Sequence, residues 1–508
     1  MRRNLLAASL VSAALLAAAC GSTDPGLTAE RSDAVVDITL PVTESTMAIP
    51  TSTLPPNPNN AMIDFGTNKE PQDYDEFLQV AVADVQDYWR LSYPETYGTE
   101  YTELAGGIWA SYPGREGNPI PQYPDGCRGD PEEEYIAEFN AFYCGFGDYM
   151  AYDDFGLIPQ LVEAYGQTAV GVVFAHEFGH AIQARVSAPG IVDGAVVYGE
   201  QQADCFAGSW TAHVARGESA TLTFGDDDIR AGLSAMVAVK DPVIVADENG
   251  DLTSINVFEG SAHGTAFDRV GAFENGFLGG AAACKDMETN PLPLLNLQFG
   301  DEESLDLQRE GNTPYDGDAA TETAPLETLL VDDLTRFWTG AVASFTPPTV
   351  VAYPNKGPYP ECGEVEDDKD YEFAVFFCPS TNELLYDDGF TRALYRTYGD
   401  FSVGYVISNA WSEAVQTELG SNLSGEQRVL INECLTGAWT KDIVPNGSPD
   451  QPFVISPGDL DEAVETALIL GTEDISDNMM GSSFEKIGSF RAGVLGGVGE
   501  CNRRITNG

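Results

Sequence analysis

The stretch 166–185, GQTAVGVVFAHEFGHAIQAR, constrains this chain more than any other. At its centre stand His176, Glu177, Phe178, Gly179 and His180, an HExxH pattern. On an α-helix, residues four apart share a face, so both imidazoles can reach one metal ion. Glu177 falls beside that face, where a carboxylate can take a proton from a metal-bound water. The opposite side reads Val170, Val173, Phe174, Ala181 and Ile182, an apolar stripe that predicts a buried helix. The competing reading is two core histidines that happen to stand four apart, in a chain with only 4 His. A third ligand downstream separates the two readings. Glu200, Gln201, Gln202, Ala203 and Asp204 spell ExxAD, 20 positions after His180. On a second helix Glu200 completes a zinc site, and Asp204, one turn on, can hydrogen-bond the free ring nitrogen of a ligand histidine. Gly179 inside a helix costs about 1 kcal/mol relative to Ala, which predicts that a second helix or other backbone lies against it.

HEFGHAIQ followed by EQQADCFAGSW resembles the bacterial neutral zinc metallopeptidases, whose metal motif is similar to that of thermolysin-like gluzincins. The resemblance runs upstream through Cys127, Phe142-Tyr143-Cys144 and Tyr152-Asp153, and downstream through His263-Gly264-Thr265 and Arg269. It covers roughly residues 75–285 and implies a reaction type without a substrate. His263 carries two readings. As a functional residue it stabilises the oxyanion of peptide hydrolysis; as a structural one it caps a helix or packs on a sheet. His213 reads as structural.

At 508 residues the chain should hold two or more domains. Its 25 Lys+Arg against 80 Asp+Glu give a net charge of −55, which repels nucleic acid and anionic membranes. The N-terminus reads as a signal peptide over 1–19, with Arg2 and Arg3 before an apolar run. Ala17-Ala18-Ala19-Cys20-Gly21-Ser22 then resembles a lipoprotein lipobox, with Ala where Leu is usual three positions before Cys20; cleavage after A-x-A is the rival. Lipidation of Cys20 would anchor the chain outside the cytoplasmic membrane, its only membrane contact. Residues 20–70 are rich in Thr, Ser, Pro and Asn and read as a disordered tether. Tyr74–Trp89 has helical spacing, and Gly106–Tyr112, Phe139–Cys144 and Met150–Tyr152 read as strands before the metal helix.

The second half repeats the first. Tyr398-Gly399, Val403-Gly404 and Ala414-Val415-Gln416 match Tyr165-Gly166, Val170-Gly171 and Ala181-Ile182-Gln183 at a constant offset of 233. Blocks at Cys434–Thr440 and Phe484–Phe490 match Cys205–Thr211 and Phe267–Phe273, and Tyr386-Asp387 matches Tyr152-Asp153. Where the first copy has His176, Glu177 and His180, the second has Asn409, Ala410 and Glu413. In place of Glu200 and Asp204 it has Val429 and Glu433. The expected architecture is therefore α+β, predominantly helical, with two tandem zincin-like domains. The metallopeptidase-like domain occupies 71–285, an acidic linker 286–325, and a degenerate copy without metal ligands 326–508. Copy two is expected to pack on copy one.

Nine Cys is an odd number for an exported chain. Setting Cys20 aside leaves Cys127, Cys144, Cys205 and Cys284 in one copy and Cys362, Cys378, Cys434 and Cys501 in the other. Each set of four allows three connectivities; the preferred one is Cys127–Cys144 with Cys205–Cys284, and Cys362–Cys378 with Cys434–Cys501. The functional expectation is a zinc metallopeptidase acting on a peptide or protein substrate. One Zn²⁺ per chain would be held by His176, His180 and Glu200, with Glu177 as base. The rival is a non-catalytic envelope scaffold built on a peptidase fold.

Overall fold

A computed structural model describes residues 63–66, 69–113, 139–186, 196–240, 244–246, 252–254, 263–294, 312–444, 451–455, 458–470 and 483–507. The expected signal peptide, Cys20 and Cys127 lie outside them. Helices dominate, with small sheets, as an α+β chain. The first half runs β1 (Ile63–Asp64), α1 (Asp75–Tyr97), β2 (Gly107–Ser111), β3 (Ala141–Cys144), β4 (Tyr149–Asp153) and α2 (Leu157–Tyr165). The metal-motif helix α3 (Gln167–Val186) follows, then α4 (Val196–Ala215), α5 (Asp226–Ala238), the short pair β5 (Ile244–Ala246) and β6 (Leu252–Ser254), and α6 (Ala266–Asp286). No helix among the described residues is long and apolar enough to cross a membrane.

The sheet has the order β1-β2-β4-β3, with β1, β2 and β4 parallel and β3 antiparallel to β4. At the end of β4 the Asp153 carboxylate accepts from the backbone N–H groups of Phe155, Gly156 and Phe139, which turns the chain into α2. That is the physical content of the Tyr152-Asp153 signal. Tyr152 itself stacks against Phe174 of α3, ring centroids 4.8 Å apart.

Helix α3 is the buried helix that its apolar stripe predicts, and its burial extends beyond the stripe. It is buried on nearly all sides, its motif face included, because the sheet and α1 cover one side while α4 and α5 cover the other. A helix apolar all round is a core helix. Two expected boundaries also shift. Ile63 and Asp64 pair with β2, and Lys69 is ion-paired with Asp154 and Asp75, so the end of the expected tether is ordered. Within the expected linker, Tyr315 stacks under the Arg392 guanidinium at 4.2 Å and Asp316 pairs with Arg392, which ties residues 313–316 to the second half.

The second half runs α7 (Leu326–Ala341), β7 (Thr349–Tyr353), β8 (Val375–Cys378), β9 (Glu383–Asp387), α8 (Asp388–Tyr398), α9 (Asp400–Glu418), α10 (Gly425–Ile443), α11 (Asp459–Leu470) and α12 (Ser483–Asn507). Strand β7 is parallel to β9 and β8 antiparallel to it, the arrangement of β2, β4 and β3. Asp387 accepts from Gly389, Phe390 and Phe373 N–H as Asp153 does in the first half. A buried Trp donates to a buried Asp in each half: Trp210 to Asp84 and Trp439 to Asp333, both at 2.9 Å.

The halves meet along α6 and α12. Phe267 faces Phe490 and Phe273 faces Phe484, at 6.4 and 6.2 Å between centroids. Gly271 lies against Arg491, and Gly488 lies against Glu274. One continuous hydrophobic cluster runs through both halves. Disulfides join Cys205 to Cys284, Cys362 to Cys378 and Cys434 to Cys501. Cys144 is also disulfide-bonded, while its expected partner Cys127 is outside the described residues.

The Cys205–Cys284 bridge closes a loop with a sequence separation of 79, between the helix of the ExxAD motif and the end of α6. Loop-closure entropy assigns such a bridge about 4 kcal/mol. A Cys205→Ala, Cys284→Ala double variant should lose stability of that order in denaturant unfolding. Non-reducing peptide mapping of the parent protein should recover all three bridges within their own halves.

Candidate metal centre

Helix α3 presents His176 and His180 one turn apart, and α4 brings Glu200 against them. His176 Nε2 lies 3.2 Å from Glu200 Oε2, His180 Nε2 lies 3.5 Å from Glu200 Oε1, and the two Nε2 atoms lie 3.2 Å from each other. The helices can come this close because of Gly179. A Cβ there would stand 2.7 Å from Ala203 Cα and 3.0 Å from Ala203 Cβ. The expectation of a second helix against Gly179 is met by α4 itself.

Behind the ligands stands a layer of hydrogen bonds. His176 Nδ1 is 2.6 Å from Asp204 Oδ1, and Asp204 in turn receives two bonds from Arg269, Nε at 3.0 Å and Nη2 at 2.9 Å. Arg269 also donates to the Val239 carbonyl at 3.0 Å. His180 Nδ1 is 3.0 Å from Gln183 Oε1, and Gln183 Nε2 donates to the Gly199 carbonyl at 2.6 Å. These partners fix the tautomers, since a carboxylate and an amide oxygen can only accept. Each Nδ1 therefore carries hydrogen, and in the neutral rings both Nε2 lone pairs point toward one another and toward Glu200. Three electron-rich atoms so close repel unless a cation sits among them. Two imidazole nitrogens and one carboxylate oxygen suit zinc, so the residues present fit the metal. His180 and Glu200 stay partly exposed, leaving the site open on that side. Arg269 appeared in the sequence as a motif residue without a role, and Gln183 drew attention only as a repeat position. The spacing of three from His180 was the available signal for Gln183.

The electrostatics say the same thing. Burial and the neighbouring Glu200 push the Glu177 carboxyl above its ordinary range, while His176, His180 and His263 act the other way. Burial also acts upward on Glu200, but His180 and His176 prevail and hold it well below the usual carboxylate range. Burial opposes charging of His176, yet Asp204 and Glu200 raise it to about 10 when no metal balances them. The cluster demands positive charge, as a proton or as a metal. His263 lies near enough for its charge to act on both Glu177 and Glu200, so the fold brings it to the site. His213 instead pairs with Glu218 at 3.0 Å, a structural contact.

The second-half positions that the sequence comparison sets beside the motif make other contacts. Glu413 pairs with Arg428 at 2.5 Å and accepts from Asn432 at 2.8 Å. Gln416 donates to the Arg428 carbonyl at 2.8 Å, as Gln183 does to Gly199. Two other groupings among the described residues hold ligand-type atoms close together. Cys362 and Cys378 flank Glu364, but they are bonded to each other. Asp400, Asp459 and Glu462 cluster at the starts of α9 and α11, where Glu462 accepts from Phe401 N–H and Asp400 from Thr313 N–H; an all-oxygen set does not suit zinc.

Replacing Gly179 with Ala should force α3 and α4 apart. Overpacking of this kind costs about 1–3 kcal/mol, and here the displacement would also withdraw Glu200 from the histidines. Zinc retained after dialysis and the thermal midpoint should both fall; a variant that keeps parental zinc content would contradict the close-approach account.

Comparison with known proteins bears on this segment. Residues 137–287 match the model of a family described as "Putative neutral zinc metallopeptidase". Protein Rv2575 of Mycobacterium tuberculosis H37Rv, which carries the description uncharacterized, is 33% identical over 159 residues, 28% of this chain and 52% of that protein. Uncharacterized proteins MT2651 of M. tuberculosis CDC 1551 and Mb2605 of M. bovis match to the same extent. The chain thus spans about half the length of the curated relatives it matches. No solved structure matches. The matched segment contains His176, Glu177, His180, Glu200, Asp204, His263 and Arg269, and its similarity supports the zinc metallopeptidase family for this part of the chain.

Proposed function

We propose that this protein is a zinc-dependent peptidase whose single metal centre is formed by His176, His180 and Glu200. The observation that carries the reading is the convergence of both Nε2 lone pairs and the Glu200 carboxylate on one point, with buried Glu177 beside them. When bound, zinc supplies a Lewis acid and a water of lowered pKa. Glu177 accepts the proton of the attacking water and delivers it to the leaving amine nitrogen. Burial pushes its carboxyl above the ordinary range, the direction that makes it a stronger base. Asp204 and Arg269 hold His176 in its Nδ1–H tautomer, and Gln183 does so for His180. His263, whose charge acts on Glu177 and Glu200, is the group we assign to donate to the oxygen of the scissile carbonyl as charge develops.

The second half we read as a degenerate duplicate that kept the scaffold and lost the chemistry. The common order of elements, the paired Trp–Asp bonds and the reciprocal aromatic contacts of α6 with α12 support a duplicated unit packed as a pseudo-twofold pair. On the sequence evidence given above, the chain is exported and anchored through a lipid on Cys20. Its substrate is then a peptide or protein of the envelope or exterior. A scaffold built on a peptidase fold is the competing function, and the replacement of the ligand set by Asn409, Glu413 and Val429 in the second half is the observation in its favour.

Glu177→Gln keeps the shape and removes the base. Zinc content should stay near one per chain while hydrolysis of a responsive peptide, chosen from a diverse library, drops by about 10² or more. Parental activity in this variant would refute the base assignment. Chelation should abolish cleavage by the parent and zinc should restore it. A His176→Ala, His180→Ala double variant should bind no zinc, and a parent stoichiometry of two would refute the single-centre reading.

A further inference from the structure

We propose that the second half holds the active centre of the first in working geometry, acting through Asp461 and Arg491 on the first turn of α6. This rests on the peptidase reading above. The chain from His263 to Arg269 carries two groups of that centre within seven residues: His263 near Glu177 and Glu200, and Arg269 on Asp204. Between them, Thr265 caps α6 by accepting from Asp268 N–H. The first turn of a helix has further N–H groups without helical partners. That of Phe267 is satisfied from the other half of the chain, by Asp461 Oδ1 at 3.2 Å. A carboxylate placed there also meets the positive end of the helix dipole.

Two more contacts fix the same turn. The Arg491 guanidinium lies over the Phe267 ring at 4.1 Å and donates to the Phe267 carbonyl. Lys240 bridges Asp461 at 3.3 Å and Glu465 at 2.6 Å. Lys240 follows Val239, whose carbonyl accepts from Arg269. The second half thus grips both the helix that bears Arg269 and the segment that receives its third hydrogen bond. Asp461, Arg491 and Phe267 are all buried, so water does not compete for these bonds.

The grip is one-sided. The aromatic contacts between α6 and α12 are reciprocal, as is the approach of Arg491 to Gly271 and of Glu274 to Gly488, but among the described residues the Asp461 contact is not. Helices α5 and α11 begin alike, with Asp228 and Ile229 N–H on the Gly225 carbonyl and Asp461 and Glu462 N–H on the Gly458 carbonyl, which sets Asp461 beside Asp228; Asp228 serves its own half by accepting from Gly225 N–H and the Thr168 hydroxyl. A contact needed only to join two similar halves would serve both equally. This one converges on the half that carries the metal ligands. Asp461 and Arg491 are therefore positioning residues: they touch neither substrate nor metal, and act through the placement of Arg269 and His263.

The test uses the full chain with Asp461→Ala, Asp461→Asn and Lys240→Met. Zinc affinity is read by competition with a chromophoric chelator, amide exchange over residues 266–269 by mass spectrometry, and kcat and KM on a responsive peptide. Loss of a partner that orients a ligand histidine weakens metal binding by about 10–100-fold, and a step further removed should fall at the low end. Asp461→Ala should weaken zinc binding about 10-fold, speed exchange in the first turn of α6, and lower kcat with little change in KM. Asp461→Asn, which keeps the acceptor for Phe267 N–H, should recover most of the loss. If Asp461→Ala fails to fold, Lys240→Met perturbs the same contact from the surface side and should move affinity and exchange in the same direction. Parental affinity and exchange in a folded Asp461→Ala, or in Lys240→Met, would overturn the proposal. A parent protein that binds zinc but cleaves nothing would sink the peptidase reading alone, since affinity and exchange still decide the positioning role.

Discussion

At Gly179 the backbones of α3 and α4 approach so closely that a single methyl group would collide with Ala203. The centre depends on that contact. Glu200 precedes Ala203 by three residues and Asp204 follows it by one, so the point of closest approach lies between a ligand and a ligand's partner. One carboxylate is thereby set against the Nε2 atoms and the other against His176 Nδ1. The helical cost of glycine, about 1 kcal/mol, is small beside what separating these groups would lose. Burial of α3 on nearly every side then removes the option of rotating the histidines to solvent.

Much of this could be read in the residues. The motif spacing placed both histidines on one face, ExxAD placed Glu200 and Asp204 on the partner helix, and Gly179 announced close packing. The strand runs before the motif helix and three of the cysteine pairs also fall where the spacing put them. What could not be read has a common physical cause. The stripe predicted burial of one side of α3, but periodicity cannot report a partner that covers the other side as well. The order around Lys69 and residues 313–316 rests on single ion pairs and a guanidinium over a ring, contacts that composition does not encode. Gln183 and the Val239 carbonyl act through geometry, and a backbone carbonyl has no sequence signature at all.

If the second half is read as a degenerate duplicate, the two halves solve one electrostatic problem in two ways. In the first, two imidazoles and a carboxylate converge, and only added positive charge relieves them. In the second, the place of His180 is taken by Glu413, and the positive charge is covalent: Arg428 binds that carboxylate directly. The place of Asp204 is taken by Glu433, where burial raises the carboxyl to about 7 and Tyr405 donates to it at 2.5 Å. Lys486, which stands where Arg269 does, is itself lowered by burial. Burial moves the Glu433 carboxyl up and the Lys486 amine down, while the charge of each acts on the other in the opposite sense.

That contrast explains how such a half can persist without catalysis. The bonds that define the scaffold, Trp439 to Asp333 and Gln416 to the Arg428 carbonyl, never passed through the metal. On the reading of the second half as a degenerate duplicate, loss of the ligands would therefore leave folding intact, provided the vacated charges were rebalanced within the site. On the peptidase reading, catalysis in the first half is less self-contained. Its ligand histidine is oriented by Asp204, Asp204 is held by Arg269, and Arg269 sits two residues beyond Phe267, whose N–H and carbonyl are bonded across the interface. Each link is a buried hydrogen bond with one geometry and no water to substitute for it. On the reading proposed here, selection on the centre acts through this path on Asp461 and Arg491, and a half without chemistry remains under constraint because its neighbour's chemistry leans on it.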